Sequence, residues 1–377
     1  MISSSNAATA WWQSVRSSQQ LDGFTIAGKK ATAWLSEETE DRGWDQFLQE
    51  NPAGQFQQST IWAQAKAAEN WSCARVLIGG EDRLMGGFQL LWRASRFGRI
   101  GYVSKGPVLE PLEARADTEI LERYAVVLLK DVARRKKLRA VIVQPPDFCE
   151  AMSGSLRNAG LLPGGRMGVN DATWMVDVSD GFAAVERRMD RAFRKTLDRA
   201  ERGNLRVREG GRADLPGFWE LMLASCRRQG VEPNPSELRH LLALWDAAHP
   251  RGAVRLHVVE KDGEPIAEQL DLLFGKTVTL WKKGWSGAEK RLSPNDVCVY
   301  ECIRWASEAG YSWCDFTSFD RKMAEAMLAG QTLTEEQKQS RYVNFFRTGG
   351  RPVLLPKAQV WVPNRILRAG YRWRYSG

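Results

Sequence analysis

The stretch from Ala172 to Arg208 constrains the architecture of this 377-residue chain more than any other. It begins with an apolar run ending at Asp177, which predicts a short strand, and a Ser-Asp-Gly break then leads into a long helical pattern. Apolar residues at i, i+3 and i+4 predict one buried face, while the opposite face is rich in arginine. Gly203 stands where a helix C′ residue belongs. This unit lies near the middle of the chain and joins two halves of similar organisation, which favours two domains.

Composition narrows the class of protein. A chain of 377 residues is long for one hydrophobic core and sufficient for two. Its 43% hydrophobic and 26% charged residues are typical of a soluble globular protein. The net charge of +9 favours an anionic partner such as a nucleic acid, a phosphorylated metabolite or a membrane surface, although a merely arginine-rich surface would give the same value.

Cysteine and histidine spacing argues against a metal site. The six cysteines form no C-x-x-C pair and the three histidines have no metal-ligand spacing, so we expect neither a zinc site nor a disulfide framework. The N-terminus lacks a secretory apolar core, and no apolar run approaches the roughly 20 residues that a membrane span needs. We therefore expect a cytoplasmic protein with reduced thiols and no transmembrane segment.

The second half has the clearer order of elements. Two predicted helices are followed by three strands at Val254–Glu260, Pro265–Phe274 and Thr277–Trp281, and Asp262-Gly263 predicts a type I′ turn between the first two. A loop with Gly284 and Gly287 then leads into a helix. Backbone N–H groups at such a strand-to-helix junction can face an anion. The first half repeats this order with weaker signals, so the same element order is expected in both domains.

This order resembles the GNAT acyltransferase fold, and four segments resemble the Fem-type branch, whose members carry two GNAT-like domains. The segments are GQFQQSTIWAQAK (54–66), IGYVSKGPV (100–108), the stretch 172–208, and SPNDVCVYECIRWASEAGYSWCDF (293–316). The resemblance covers roughly Trp44 to Pro356. It implies an α/β (α+β) protein with two tandem GNAT-like acyltransferase domains, each with a mixed twisted sheet flanked by helices.

The resemblance also implies an activity. Fem-type enzymes transfer an amino acid from aminoacyl-tRNA to an amine of a peptidoglycan precursor, which serves cell wall biogenesis and cell shape. We expect no bound cofactor, a co-substrate that is aminoacyl-tRNA or acyl-CoA, and an anionic or lipid-linked precursor as acceptor. Contacts with tRNA and with a membrane surface are further expectations. Two alternatives stay open: an acyl-CoA-dependent N-acyltransferase of exopolysaccharide or amino-sugar metabolism, and a non-catalytic tRNA- or precursor-binding protein.

Two departures from the family pattern affect the expected site. The family usually has a Phe-Lys pair late in the second domain, where this chain has Phe345, Phe346 and Arg347. Glycine often follows the Asp-Phe pair, where this chain has Thr317. The predicted organisation is a loosely ordered tail (1–30), a first GNAT-like domain (31–177), a second acyltransferase domain (178–356) and a basic aromatic C-terminal segment (357–377). That last segment could touch RNA or a membrane, or pack on the first domain.

The expected site residues follow from the resemblance. Two residues are predicted to be catalytic. Asp315 is the carboxylate that would accept the proton of the amine, and Arg347 is the cation that would offset negative charge on the transferred group. Four are predicted to bind substrate, the first two of them in one cleft: Lys66, Lys105, Arg228 and Phe316. Five are predicted to bind the donor, with an indole that could stack on an adenine: Lys283, Gly284, Trp285, Gly287 and Asn295.

Overall fold

The computed structural model describes residues 11–15, 19–26, 28–80, 83–96, 98–164 and 170–375. The chain divides into two compact units. The first comprises Met1–Val169 together with Pro356–Gly377, and the second comprises Asn170–Leu355. A mixed α/β organisation with one mixed sheet in each unit confirms the predicted fold class.

The first unit is built on a sheet of nine strands among the described residues. The strands are β1 (Gln19–Ile26), β2 (Lys29–Ser36), β3 (Ser72–Gly79), β4 (Leu84–Ser95), β5 (Gly98–Ser104), β6 (Val108–Leu109), β7 (Ala140–Gln144), β8 (Leu162–Pro163) and β16 (Gln359–Trp361). They pair in the order β1-β2-β3-β4-β5-β7-β16-β8, and β6 lies alongside β4. Among the described strands of this first sheet, only the β5–β7 pair is parallel.

Helices cover this first sheet. They are α1 (Arg42–Glu50), α2 (Thr60–Ala67), α3 (Arg115–Arg135), α4 (Glu150–Asn158) and α14 (Arg365–Tyr375). The Ser59 side chain caps the start of helix α2, because its hydroxyl accepts a hydrogen bond from the Trp62 backbone N–H at 3.2 Å. Leu121, Ala125 and Leu129 of α3 follow i, i+4 spacing and are buried in the core of the sheet.

The second unit has a seven-stranded sheet in the order β10-β11-β12-β13-β14-β9-β15. Its strands are β9 (Ala172–Asp177), β10 (Leu205–Gly210), β11 (Val254–Lys261), β12 (Glu264–Phe274), β13 (Thr277–Trp285), β14 (Trp313–Asp315) and β15 (Arg351–Leu354). Its helices are α5 (Phe182–Arg188), α6 (Arg191–Arg194), α7 (Thr196–Arg202), α8 (Leu215–Gln229), α9 (Leu238–Ala248), α10 (Pro294–Glu308), α11 (Arg321–Leu328), α12 (Glu335–Lys338) and α13 (Val343–Phe346).

Strands β13 and β14 diverge, and this divergence positions the candidate site. The two strands are parallel and pair only through Thr277–Thr279 and Trp313–Asp315. Strand β13 nevertheless continues along β12 as far as Trp285. Its last residues therefore border an opening in the sheet that β14 does not fill.

The basic stretch is not one long helix as the sequence predicts. It is divided into α5, α6 and α7, because Met189 is extended and the Asp190 side chain starts a new helix by accepting hydrogen bonds from Ala192 N and Phe193 N. Val185, Met189 and Phe193 are still buried in one core. The amphipathic pattern thus survives the interruption.

The predicted domain boundaries are wrong in three places. Strand β9 pairs with β14 and β15, so it belongs to the second unit rather than ending the first. Residues 19–26 form β1 instead of a loose tail, while residues 1–10 lie outside the described residues. Strand β16 pairs with β7 and β8, so the C-terminal segment completes the first sheet. Strands β9 and β16 pair with segments that are distant in sequence, whereas β1 forms a local hairpin with β2.

Candidate active site

Lys283 and Phe316 meet beside the opening between β13 and β14. The Lys283 Nζ lies 5.5 Å from the centroid of the Phe316 ring. Lys283 is partly buried and Phe316 is fully buried. Burial lowers the pKa of Lys283, and nearby acidic groups, including Asp271 and Asp296, oppose that shift. The structure thus brings two predicted site residues together. The predicted donor contact of Lys283 and the predicted substrate contact of Phe316 stay predictions.

Asp296, which the sequence did not single out, contacts Arg347 and feels the charge of Lys283. It stands in the first turn of α10 and is 3% exposed. Arg347 donates a hydrogen bond from Nη1 to the Asp296 carboxylate at 3.2 Å. Burial raises the pKa of Asp296, and the positive charges of Arg347 and Lys283 counteract this. The result is a charged cluster of Lys283, Asp296 and Arg347.

Aromatic packing holds Arg347 in this position. Phe345 contacts Phe316 with ring centroids 4.9 Å apart, and Phe346 contacts Trp174 at 5.5 Å. The Arg347 carbonyl accepts a hydrogen bond from Asp190 N at 2.9 Å. The two phenylalanines therefore fix the segment on the sheet and leave the guanidinium beside Asp296.

Asp315 is held by a turn. Its Oδ1 accepts hydrogen bonds from the Thr173 hydroxyl and, at 2.8 Å, from Thr317 N. Thr317 itself adopts φ = 66°, a conformation that is rare for a β-branched residue. This is the position where glycine often occurs in the resembling family, and the left-handed backbone explains why. Asp315 caps the turn, and its catalytic role stays a prediction.

The predicted donor loop is fastened to α8. Arg228 donates to the carbonyls of Trp285 and Ser286, with its guanidinium 4.9 Å from the Trp285 ring centroid. Arg228 therefore supports the loop, and its predicted substrate contact stays untested. A Cβ at Gly284 would lie 2.7 Å from the Leu221 Cβ, so this glycine permits close packing of the helix on β13.

Three of the loop's backbone donors are used inside the protein. Trp285 N donates to the Ser225 hydroxyl at 3.0 Å, Ser286 N to Ile266 O at 2.9 Å, and Ala288 N to the Ser286 hydroxyl at 3.1 Å. Gly287 follows with φ = 97°. At the start of α10, the Asn295 Oδ1 is buried and has no partner in the described part of the chain. These bonds leave less of a backbone phosphate cradle than the glycines suggest.

The first unit holds the two lysines predicted to bind the acceptor. Lys66 Nζ lies 2.7 Å from a Glu69 carboxylate oxygen and 4.6 Å from the Trp62 ring centroid. Lys105 is buried, adopts φ = 58° and forms an ion pair with Asp147. Each lysine thus has its own carboxylate partner, and their sharing of one cleft stays a prediction.

A cavity of about 370 Å³ lies next to the Lys105 ion pair. Its lining includes Pro107, Arg115, Asp147, Phe148 and Cys149. Phe148 is 65% exposed and has φ = 63°. Burial raises the pKa of the Cys149 thiol to about 11, which disfavours the thiolate at neutral pH. The cavity is a candidate binding site.

Three buried side chains of the second unit form a separate polar cluster. His257 of β11, Asp271 of β12 and Cys302 of α10 offer ligand atoms within 4.8 Å of one another, a grouping that the histidine spacing did not predict. The His257 Nδ1 is 2.9 Å from the Asp271 Oδ2, and Gln269 donates to the other carboxylate oxygen at 2.8 Å. These contacts form a core hydrogen-bond network, and the absence of a metal site stays a prediction.

Comparison with known proteins agrees with this architecture. A FemAB family model matches residues 39–158, in the first unit, and an acetyltransferase (GNAT) domain model matches residues 185–322, in the second. A crystal structure of FemX superposes with a TM-score of 0.74 at 16% identity and covers 93% of this chain and 99% of that one. The first unit is thus similar to FemAB proteins and the second to GNAT domains, and the chain shares the fold of FemX.

The relatives at the sequence level described below share one name. A lipid II:glycine glycyltransferase of Staphylococcus haemolyticus (strain JCSC1435) is 26% identical over 243 residues, or 60% of this chain and 55% of the relative. The protein of the same name from Staphylococcus aureus (strain MRSA252) is 22% identical over 263 residues, or 66% of this chain and 61% of the relative. This chain therefore spans about three fifths of the length of these curated relatives. Among the described residues, no helix has the length and apolar character to cross a membrane.

Proposed function

We propose that this protein is an aminoacyltransferase of the Fem type, which transfers an aminoacyl group to an amine of a lipid-linked peptidoglycan precursor. The observation that carries the proposal is the cluster of Lys283, Asp296 and Arg347 beside the opening between β13 and β14. It lies in the unit that matches the GNAT acetyltransferase domain. The name of the relatives, lipid II:glycine glycyltransferase, supports the reaction class.

The cluster suits acyl transfer. The amine attacks the ester carbonyl, a C–N bond forms, and negative charge develops on the carbonyl oxygen. Lys283 and Arg347 would stabilise that charge, and Asp296 would hold both cations in place. The C–O bond to the donor then breaks, and a proton from the amine passes to the leaving oxygen. Aminoacyl ester chemistry of this kind requires neither a covalent enzyme intermediate nor a metal.

The donor loop favours aminoacyl-tRNA over acyl-CoA. A compact pyrophosphate needs several backbone N–H groups that point at it. Here the N–H groups of Trp285, Ser286 and Ala288 donate to protein atoms. The arginines of α5–α7 and the Trp285 ring would instead track RNA phosphates and the terminal adenine. Acyl-CoA-dependent N-acylation is the alternative activity.

The acceptor is assigned to the first unit. The cavity beside the Lys105–Asp147 ion pair has room for a small polar group, and Lys66 supplies a second cation on the same unit. A precursor that carries pyrophosphate would pair with such lysines.

A transfer assay tests the proposal. Purified protein is incubated with radiolabelled aminoacyl-tRNA or acetyl-CoA and with a precursor that carries a free amine. We expect the wild-type protein to transfer the aminoacyl group from aminoacyl-tRNA. Lys283→Met should abolish this transfer, and Lys282→Met should leave it intact. Transfer from acetyl-CoA alone would establish the alternative activity, whereas tight tRNA or precursor binding without transfer from either donor would establish a binding protein.

A further inference from the structure

Helix α14 presents two aliphatic side chains to solvent. Ile366 is 82% exposed and Leu367 is 50% exposed. Within the described ranges, no other large hydrophobic side chain is as exposed as Ile366. Two adjacent exposed aliphatic residues in one helical turn mark a surface that gains free energy when it is covered.

The helix is firmly docked, so this exposure is not the result of fraying. The Asn364 Oδ1 accepts hydrogen bonds from Ile366 N at 2.9 Å and from Leu367 N at 3.0 Å, as an N-cap does. Arg368 donates to Val362 O at 2.8 Å, and the Tyr371 hydroxyl donates to Pro163 O at 3.0 Å. Arg368 and Tyr371 thus attach the helix to the first unit, while Ile366 and Leu367 remain on its outer side.

Positive charge surrounds these two residues. The helix sequence RILRAGYRWRY contains four arginines and no acidic residue. Arg365 and Arg372 are exposed on either side of the aliphatic pair. Arg134 of α3 adds a further cation near the start of this segment, with its guanidinium 5.3 Å from the centroid of the Trp361 ring. The surface therefore combines exposed aliphatic groups with a group of cations.

We propose that α14 binds the surface of an anionic phospholipid bilayer, with Ile366 and Leu367 inserted at the boundary between headgroups and acyl chains. The arginines would contact lipid phosphates. Charge complementarity alone would also fit RNA, but an RNA backbone gains nothing from contact with exposed isoleucine and leucine. The inference concerns the first unit alone, and it stands or falls independently of the proposed transfer reaction.

Vesicle sedimentation with the full chain tests the proposal. The probes are vesicles of phosphatidylcholine alone and vesicles that also contain phosphatidylglycerol. The binding variant is I366S/L367S, and its matched control is L328S, because Leu328 of α11 is an aliphatic residue of similar exposure at 56%. Both changes replace exposed side chains, and circular dichroism checks that each variant is folded.

We expect wild-type protein to sediment with the anionic vesicles at low salt and to remain in solution with phosphatidylcholine alone. I366S/L367S should bind at least about tenfold more weakly, L328S should match wild type, and Arg365→Gln should weaken binding about fivefold. Failure of the wild type to bind anionic vesicles would overturn the proposal. Vesicle binding by I366S/L367S that is as strong as that of the wild type would also overturn it. So would arginine-dependent binding of single-stranded RNA by a protein that binds no vesicles.

Discussion

Lys283 on β13 lies over the ring of Phe316, the residue that follows β14, with its Nζ 5.5 Å from the ring centroid. Lys283 and Phe316 therefore form a Lys–Phe pair beside the two diverging strands, although the late segment that usually supplies one in the resembling family has Arg347 instead. We infer that Lys283 provides the cation nearest to the transferred group.

Replacing Lys283 with methionine should reduce transfer strongly while the protein stays folded. Removal of one charge-stabilising group typically costs about 10²–10³ in kcat. Lys282→Met is the matched control, because Lys282 is its neighbour on the same strand and lies over Trp281. Single-turnover kinetics with saturating donor measure the effect. Wild-type turnover by Lys283→Met would contradict the assignment.

Arg347 and Asp296 should be coupled in stability. Arg347→Met leaves the Asp296 carboxylate buried without its cation, so we expect a loss of about 1–3 kcal/mol in the free energy of unfolding. Asp296→Asn should recover part of that loss when combined with Arg347→Met. A double-mutant cycle by urea denaturation gives the coupling. Additive effects of the two changes would show that the 3.2 Å contact is energetically neutral.

Glu268 should make stability depend on pH. Both of its carboxylate oxygens are buried without a partner in the described structure, and burial raises its pKa from 4.5 to about 8. As pH rises, Glu268 ionises in the unfolded chain near pH 4.5 but stays protonated in the folded protein until about pH 8. Its contribution to the free energy of unfolding is therefore fully present below pH 4.5 and falls as pH rises toward 8, by about 1.4 kcal/mol per pH unit. Glu268→Gln should remove this loss, and the exposed Glu264→Gln should not. Urea denaturation across this pH range measures the free energy of unfolding of each variant. If that free energy depends on pH in the same way for the wild type and Glu268→Gln, the prediction is contradicted.

Thr317→Gly should stabilise the protein. Thr317 has φ = 66°, where a side chain costs about 1–2 kcal/mol relative to glycine. The matched change Thr277→Gly, on the regular strand β13, should destabilise by about 1 kcal/mol. Opposite shifts of the thermal midpoint are expected for the two variants. A loss of stability in Thr317→Gly would show that its hydroxyl contact with Phe316 O matters more than backbone strain.

Lys66→Ala should weaken acceptor binding about tenfold or more, because a charge-assisted phosphate contact is worth about 1.5–3 kcal/mol. Glu69→Ala removes the partner carboxylate and leaves the ammonium in place, so it serves as the control. Lys105 is tested with its partner as Lys105→Met/Asp147→Asn, which avoids an unpaired buried carboxylate. Calorimetric titration of the precursor measures both. Unchanged affinity in Lys66→Ala and in the double variant would reject the acceptor site.

The sequence by itself determined the local elements. Strands β11, β12 and β13 begin within a residue of their predicted positions, because their apolar runs are bounded by turn residues. Asp262 and Gly263 have φ values of 52° and 88°, as a type I′ turn requires. Ser59 caps α2, and α7 ends one residue earlier than predicted, with Gly203 as its C-cap and Asn204, at φ = 57°, in the left-handed C′ position. These features depend on neighbours within a few residues, and the sequence displays those neighbours.

Only the tertiary structure decided which distant segments meet. Strand β9 has the same apolar run whether it closes the first sheet or enters the second, and the pairing with β14 and β15 selects the second. Asp296 has the sequence context of an acid in a helix's first turn, and nothing local shows that Arg347 will reach it from 51 residues away. Strand pairing and charge contacts of this kind depend on the free energy of the whole packed sheet, which no short window of sequence contains.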